Sequence, residues 1–145
     1  MKKYFYFPLA LILLAGVLAT GAKAQTNSPQ RLVANIPFAF TVGDQTLPAG
    51  HYTISVLNPS SDRKTLQVRS MDGRSTAIVL TNNASGKLSE RSKLVFDRYG
   101  DHYFFAQAQM AGDSTTLAAV RSKAERAERL AVSKLNKKSV VVITG

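Results

Sequence analysis

Apolar residues occupy every second position between residues 32 and 42, and this alternation constrains the fold more than any other feature of the chain. These apolar positions are Leu32, Ala34, Ile36, Phe38, Phe40 and Val42. A period of two places successive side chains on opposite faces of a β-strand, so the segment predicts a strand with one buried face and one more polar face. Pro37 falls on the outward set and has no backbone donor, which favours an edge position for this strand.

The same alternation returns along the chain between clusters of turn-forming residues. It predicts strands near Tyr52–Val56, Leu66–Val68, Thr76–Thr81, Leu94–Phe96 and Tyr103–Phe105. Asp72-Gly73 predicts a tight hairpin turn in which both central residues have positive φ, and Tyr99–Asp101 predicts a second hairpin. The polar stretch Asn82–Glu90 predicts a mobile loop. Short strands at regular spacing are typical of a small antiparallel β-sandwich or barrel, here of about seven strands.

The pattern changes near residue 122. Ser122-Lys123-Ala124-Glu125 has the form of a capping box, in which the serine and glutamate side chains each accept a hydrogen bond from the other's backbone amide. We expect a helix from about residue 123 to residue 136, with a narrow apolar stripe that lies on the sheet or across an open barrel end. The stripe consists of Ala124, Ala127, Leu130, Ala131 and Leu135. The apolar run Val140–Ile143 predicts a last strand at about residues 139–144, so the fold is mainly β with one C-terminal helix before the last strand.

The first 24 residues have the organisation of an export signal. A basic start at Lys2 and Lys3 precedes the apolar run Leu9–Leu18, and Ala22 and Ala24 place small residues where a signal peptidase reads. We therefore expect a signal peptide at 1–24, a flexible N-terminus at 25–31 and a single β-rich domain at 32–145. The expected location is the periplasm or the extracellular space, with no transmembrane segment after cleavage. The alternative is an uncleaved anchor, because the 18 residues from 4 to 21 approach the length of a spanning helix.

Residues with catalytic or metal-binding chemistry are few. The chain has no cysteine, which excludes disulfides and thiolate metal sites, and its two histidines are His51 and His102. The two histidines do not have the spacing of metal ligands. Asp101-His102 resembles half of a catalytic triad, but the chain has no Gly-x-Ser-x-Gly motif to supply the nucleophile. We therefore expect no catalytic residue, no metal and no cofactor, and a protein that is not an enzyme.

Basic residues are concentrated near the C-terminus. The net charge is +10, and seven basic residues lie between Arg121 and Lys138 against only Glu125 and Glu128. The candidate contacts to an anionic surface are Arg126, Arg129, Lys134, Lys137 and Lys138. Export disfavours nucleic acid as the partner and leaves an anionic envelope component or an acidic polysaccharide. The alternative is a solvated helix face that only keeps the protein soluble.

Six aromatic residues fall on the inward positions of the predicted strands. They are Phe38, Phe40, Tyr52, Phe96, Tyr103 and Phe105. They either form the core or line a cavity. Two functions therefore remain: an exported, non-enzymatic binding or scaffold protein of the envelope or exterior, and a carrier of small apolar molecules with an aromatic-lined cavity.

Four segments of the chain resemble a known family. They are Asn35–Gly43, Leu47–Ile54, Leu94–Asp101 and Ser122–Arg126, and they are similar to segments of small exported β-rich proteins of soil bacteria, notably acidobacteria. The resemblance covers most of the chain after residue 24. It implies the β-rich domain and its export, and it carries no activity and no site residues because the family has none assigned.

Overall fold

The structure is a computed structural model that describes residues 30–132 and 137–144 of the 145-residue chain. Within these residues the chain forms ten strands and one helix. The strands are β1 (Arg31–Ile36), β2 (Phe40–Val42), β3 (Gln45–Leu47), β4 (Gly50–Val56), β5 (Thr65–Ser70), β6 (Thr76–Ser85), β7 (Lys93–Tyr99), β8 (His102–Gln109), β9 (Thr115–Ala119) and β10 (Lys137–Ile143). The helix α1 spans Lys123–Ala131. The predicted mainly β fold with a helix before the last strand is confirmed, and the predicted signal peptide lies outside the described residues.

The strands belong to one mixed sheet. Its order is β1-β4-β5-β6-β9-β8-β2-β3, with β7 paired to β8 and β10 paired to β7. The described pairs are antiparallel except that of β2 with β8, which are parallel where Thr41 meets Phe104. The purely antiparallel arrangement predicted from the sequence is therefore wrong at this contact, and the strand number is ten rather than seven. β1 already includes Arg31, which the sequence placed in the N-terminal tail.

The predicted first strand is divided at Pro37. β1 ends at Ile36 and pairs with β4, whereas β2 begins at Phe40 and pairs with β3 and β8. Proline has no amide hydrogen and cannot donate to a ladder, so the chain leaves one pairing there and enters another. The alternation itself is confirmed, since the inward residues of both strands are buried. β1 lies at one end of the sheet order, as the position of Pro37 predicts.

The hairpin between β5 and β6 contains Asp72 and Gly73, as expected, but its conformation differs from the prediction. Gly73 has a φ of 74°, and no residue other than glycine has positive φ in the described part of the chain. Asp72 instead uses Oδ1 to accept hydrogen bonds from Ser70 Oγ (2.6 Å) and the Arg74 amide (3.0 Å). The turn spans residues 71–74 between Ser70 and Ser75, whose backbones are hydrogen-bonded, so it is longer than the predicted two-residue turn and the Asp72 side chain bonds within it.

The stretch expected to be a loop after Thr81 is partly a strand. β6 continues to Ser85, and residues 82–85 pair with β9. β9 has the sequence Thr-Thr-Leu-Ala-Ala, in which no apolar alternation is visible, so the sequence pattern missed it. The ladder to β9 satisfies the backbone groups of these polar residues, which explains why a polar sequence can be a strand here.

The core is filled by the inward residues of the sheet, among which the aromatic rings contact one another. Phe40 packs edge-on against Tyr52 and Phe96, with ring centroids 5.1 and 5.4 Å apart. A register irregularity lies between Val95 and Phe96, where β7 pairs with β8. The predicted inward set is confirmed, although Phe38 and Tyr103 are only partly buried.

Replacing Phe40 with alanine tests this register. Phe40 is almost fully buried, so the Phe40→Ala substitution should lower the free energy of unfolding by about 3–5 kcal/mol. The matched control is Thr41→Ala on the opposite face, where the hydroxyl contacts Thr46 Oγ1 at 3.1 Å near solvent. It should cost less than about 1 kcal/mol. Urea unfolding measures both values, and equal losses would contradict the assigned register.

Candidate functional site

The helix α1 turns its apolar stripe toward solvent. Ala124, Ala127 and Ala131 are exposed, and Leu130 is 87% exposed. The expectation that this stripe lies on the sheet is therefore wrong, and Leu135 lies outside the described residues. The helix also ends earlier than residue 136, because Val132 has extended backbone angles and caps it.

A buried carboxylate faces the sheet in place of the stripe. The side chain of Glu125 is 6% exposed, accepts a hydrogen bond from the Tyr99 hydroxyl at 3.4 Å and pairs with Arg121 Nε at 3.3 Å. We call these three residues the clamp. Ser122 Oγ accepts from the Glu125 amide at 3.1 Å, so the predicted N-cap is confirmed. The second half of the capping box is not formed, because the Glu125 carboxylate points to Tyr99 and Arg121.

Beside the clamp lies a group of residues that the main core does not include. Asp97 and Tyr99 alternate with Phe96 along β7 and are nevertheless buried. The ring of Tyr99 packs edge-on against Phe104 with centroids 5.8 Å apart, and Ser139 Oγ donates to Asp97 Oδ1 at 3.4 Å. This second set of buried residues lies on the outward side of β7, where the helix meets the sheet.

Burial dominates the electrostatics of the clamp. It raises the pKa of the Glu125 carboxyl above its usual value, with Asp97 adding to the rise and Arg121 opposing it. Burial likewise raises the pKa of the Tyr99 hydroxyl, with smaller contributions from Asp97 and Glu125. Tyr99 therefore stays a hydrogen-bond donor to Glu125 across the neutral range.

A groove of about 670 Å³ has α1 and the residues just before it on one side and the sheet on the other. Arg121, Arg126 and Arg129 are among the residues that line it. Its floor is a row of paired residues that crosses four strands, namely Asn82, Ala118, Gln107 and Val95. Three strand spacings of about 4.8 Å make this row about 14 Å long, which is enough for an extended ligand rather than a single small ion.

The groove brings together two of the five residues predicted to contact an anionic surface. Arg126 and Arg129 line it together with Arg121, which the sequence analysis counted as basic but did not select. Within the described residues, neither Arg126 nor Arg129 has a carboxylate in ion-pair range. Arg126 Nε donates to the backbone carbonyl oxygen of Ser122 at 3.3 Å, and no carboxylate of the described residues neutralises either charge.

The three predicted lysines do not join this site as far as the structure describes them. Lys138 is exposed on β10 and is not part of the groove lining. Lys137 pairs with Tyr99 through its backbone, and its side chain lies outside the described part. Lys134 also lies outside the described residues.

The histidines have local partners or face solvent. His102 Nδ1 lies 3.0 Å from Glu128 Oε1, whereas Asp101 pairs with Arg98 at 3.4 Å. His51 is exposed on β4. In the described ranges, no three side chains of the metal-binding types come together.

No helix among the same residues is long and apolar enough to cross a membrane.

The aromatic rings pack against one another. Phe38 stacks on Tyr103 with centroids 4.0 Å apart, and Phe96 makes edge contacts with Phe38, Phe40 and Phe105. Such contacts are compatible both with a filled core and with the wall of a ligand cavity, so the carrier function stays a prediction.

Comparisons of the chain with family models, curated proteins and solved structures gave no match.

The raised pKa of Glu125 predicts a specific pH dependence of stability. In the unfolded chain the carboxyl titrates near its usual 4.5, whereas in the folded protein it keeps its proton to higher pH. The contribution of this group to stability is thus greatest below pH 4.5 and declines as pH rises through the folded-state pKa. The Glu125→Gln variant lacks this titration, so the free energy of unfolding of the wild type should fall relative to the variant as pH rises over that window.

Urea unfolding at several pH values measures this difference. Glu90→Gln, at an exposed position, controls for the exchange of a glutamate for a glutamine elsewhere in the chain. Parallel pH profiles for the wild type and Glu125→Gln would show that burial does not disfavour the Glu125 carboxylate.

Proposed function

We propose that this protein is an exported, non-enzymatic binding protein that holds an acidic polysaccharide of the envelope or its surroundings in the groove beside α1. The observation that carries the proposal is that Arg126 and Arg129 both line the groove and have no carboxylate partner in the described residues. Arginine binds carboxylates through two parallel hydrogen bonds, so an unpaired pair of this kind suits a ligand with repeated carboxylates.

The floor of the groove favours a sugar chain over other anions. Asn82 and Gln107 offer amide donors and acceptors that match sugar hydroxyls, and the small side chain of Ala118 between them lets a ring approach the sheet. A groove bounded on one side by a helix also suits a narrow polymer better than a flat lipid surface.

The export signal expected at residues 1–24 supports the same conclusion. An exported domain meets envelope and extracellular polysaccharides, and export disfavours nucleic acid as the partner. The basic excess of the chain raises the local concentration of any polyanion and speeds its association.

Binding to polygalacturonate, a polymer of carboxylate-bearing sugars, tests this function. The Arg126→Gln/Arg129→Gln variant should bind it about tenfold or more weakly, because charge-assisted hydrogen bonds contribute about 1.5–3 kcal/mol each. Isothermal titration calorimetry measures the affinity, which should also fall from low to physiological salt as exposed charges are screened. The matched control is Arg63→Gln/Lys87→Gln, which removes two exposed charges outside the groove lining.

Three results would contradict the proposal. Equal losses in the two double variants would mean that only the overall charge matters. Tighter binding to vesicles of anionic lipid, lost in a Leu130→Ser variant, would assign α1 to a membrane surface instead. Shortening of the polymer during incubation would show that the protein is an enzyme.

A further inference from the structure

A second basic site lies on the outward side of β1, β4 and β5. It is a shallow pocket of about 400 Å³ with Arg31 and Arg69 at its sides. Between them, β4 presents the hydroxyl groups of Thr53 and Ser55. Strand pairing builds this arrangement, since Arg31 lies opposite Ser55 and Arg69 lies opposite Thr53.

The charges of this pocket are uncompensated within the described residues. Neither Arg31 nor Arg69 has a carboxylate in ion-pair range, and Arg31 donates only to Thr53 Oγ1 at 3.2 Å. Asp72, three positions after Arg69, is bonded to Ser70 and the Arg74 amide. The two arginines stand on strands about 10 Å apart with β4 between them, so their long side chains can close on one anionic group above the hydroxyls.

An exposed apolar row leads from this pocket toward the groove. Gln67 at the pocket pairs with Ile78 on β6, and Ile78, Leu80 and Asn82 follow one another on the outward side of that strand. Ile78 and Leu80 are 56% and 53% exposed, and Asn82 is part of the groove floor. The distance along β6 from Ile78 to Asn82 is about 14 Å. Apolar side chains in such a row match the apolar faces of sugar rings.

We propose that Arg31 and Arg69 form a second carboxylate-binding site and that the row Ile78–Leu80 joins it to the groove, so that one acidic polysaccharide chain occupies both. The second site rests on its own residues, whereas the shared occupant rests on the proposed function. Two linked contacts turn the second binding step into an intramolecular one, which raises the affinity for a long chain well above that for a short one.

Short and long galacturonate chains separate the two sites. With a short oligomer, calorimetry should give two binding sites in the wild type, and one in both Arg31→Gln/Arg69→Gln and Arg126→Gln/Arg129→Gln. With long polygalacturonate, each double variant should lose about tenfold or more in affinity, because avidity is lost with either site. An Ile78→Ser/Leu80→Ser variant should bind the polymer more weakly and the short oligomer unchanged.

The outcomes distinguish the failure of either proposal. If Arg31→Gln/Arg69→Gln keeps the wild-type stoichiometry and polymer affinity, the second site is overturned and the groove stands. If only that variant loses binding, the second site stands and the proposed function of the groove fails. The absence of any binding by folded wild-type protein overturns both. Arg31 and Arg69 are exposed, and circular dichroism with thermal unfolding verifies that their variants fold.

Discussion

The position of α1 depends on one buried carboxylate. Burying a charge costs several kcal/mol, and for Glu125 two partners, the Tyr99 hydroxyl and the Arg121 guanidinium, offset part of that cost. A helix of nine residues is marginal in water on its own, and this one does not dock through its apolar stripe, since that stripe is exposed. The clamp is therefore the contact on which the helix and the groove beside it depend, with His102 and Glu128 as a second, more exposed tie.

The docking of α1 through Glu125 also explains why arginines line the groove. Arg129 lies one helical turn after Glu125, and Arg121, in the segment just before the N-cap Ser122, reaches the Glu125 carboxylate, so the side that carries the carboxylate also carries arginines. Arg121 is used by the clamp, whereas Arg126 and Arg129 keep their charges for a ligand. A helix docked by its alanines would have directed Glu125 and its flanking arginines away from the sheet. Because α1 docks through its polar side, arginines of the basic C-terminal region line the groove.

Much of the fold follows from local sequence rules, and the exceptions have physical causes. Alternation predicted most strands because inward side chains must be apolar, and Ser122 predicted the start of α1 because a cap must satisfy free amides. The orientation of α1 was missed because alanines bury little area, so a carboxylate with good partners outweighs them. β9 was missed because its ladder to β6 and β8, rather than an apolar period, defines it.

The candidate sites were predictable only in part for the same reason. Arg126 and Arg129 are close in sequence and were selected from the basic tail. Arg31 and Arg69 are far apart in sequence, and only the pairing of β1, β4 and β5 brings them to one pocket. Rules that read neighbouring residues cannot find a site that strand register assembles.

Amide hydrogen exchange of α1 tests the central claim most directly, because it reports local opening of the helix separately from unfolding of the sheet. Alanine is the best helix former, so Glu125→Ala keeps the intrinsic helix propensity while removing the clamp. The account predicts faster exchange of the amides from Arg126 to the C-cap Val132 in this variant. The amides of β4 and β5 should be unchanged, and the exposed control Lys123→Ala should behave like the wild type. Equal protection of α1 in the wild type and in Glu125→Ala would contradict the claim that the clamp holds the helix on the sheet.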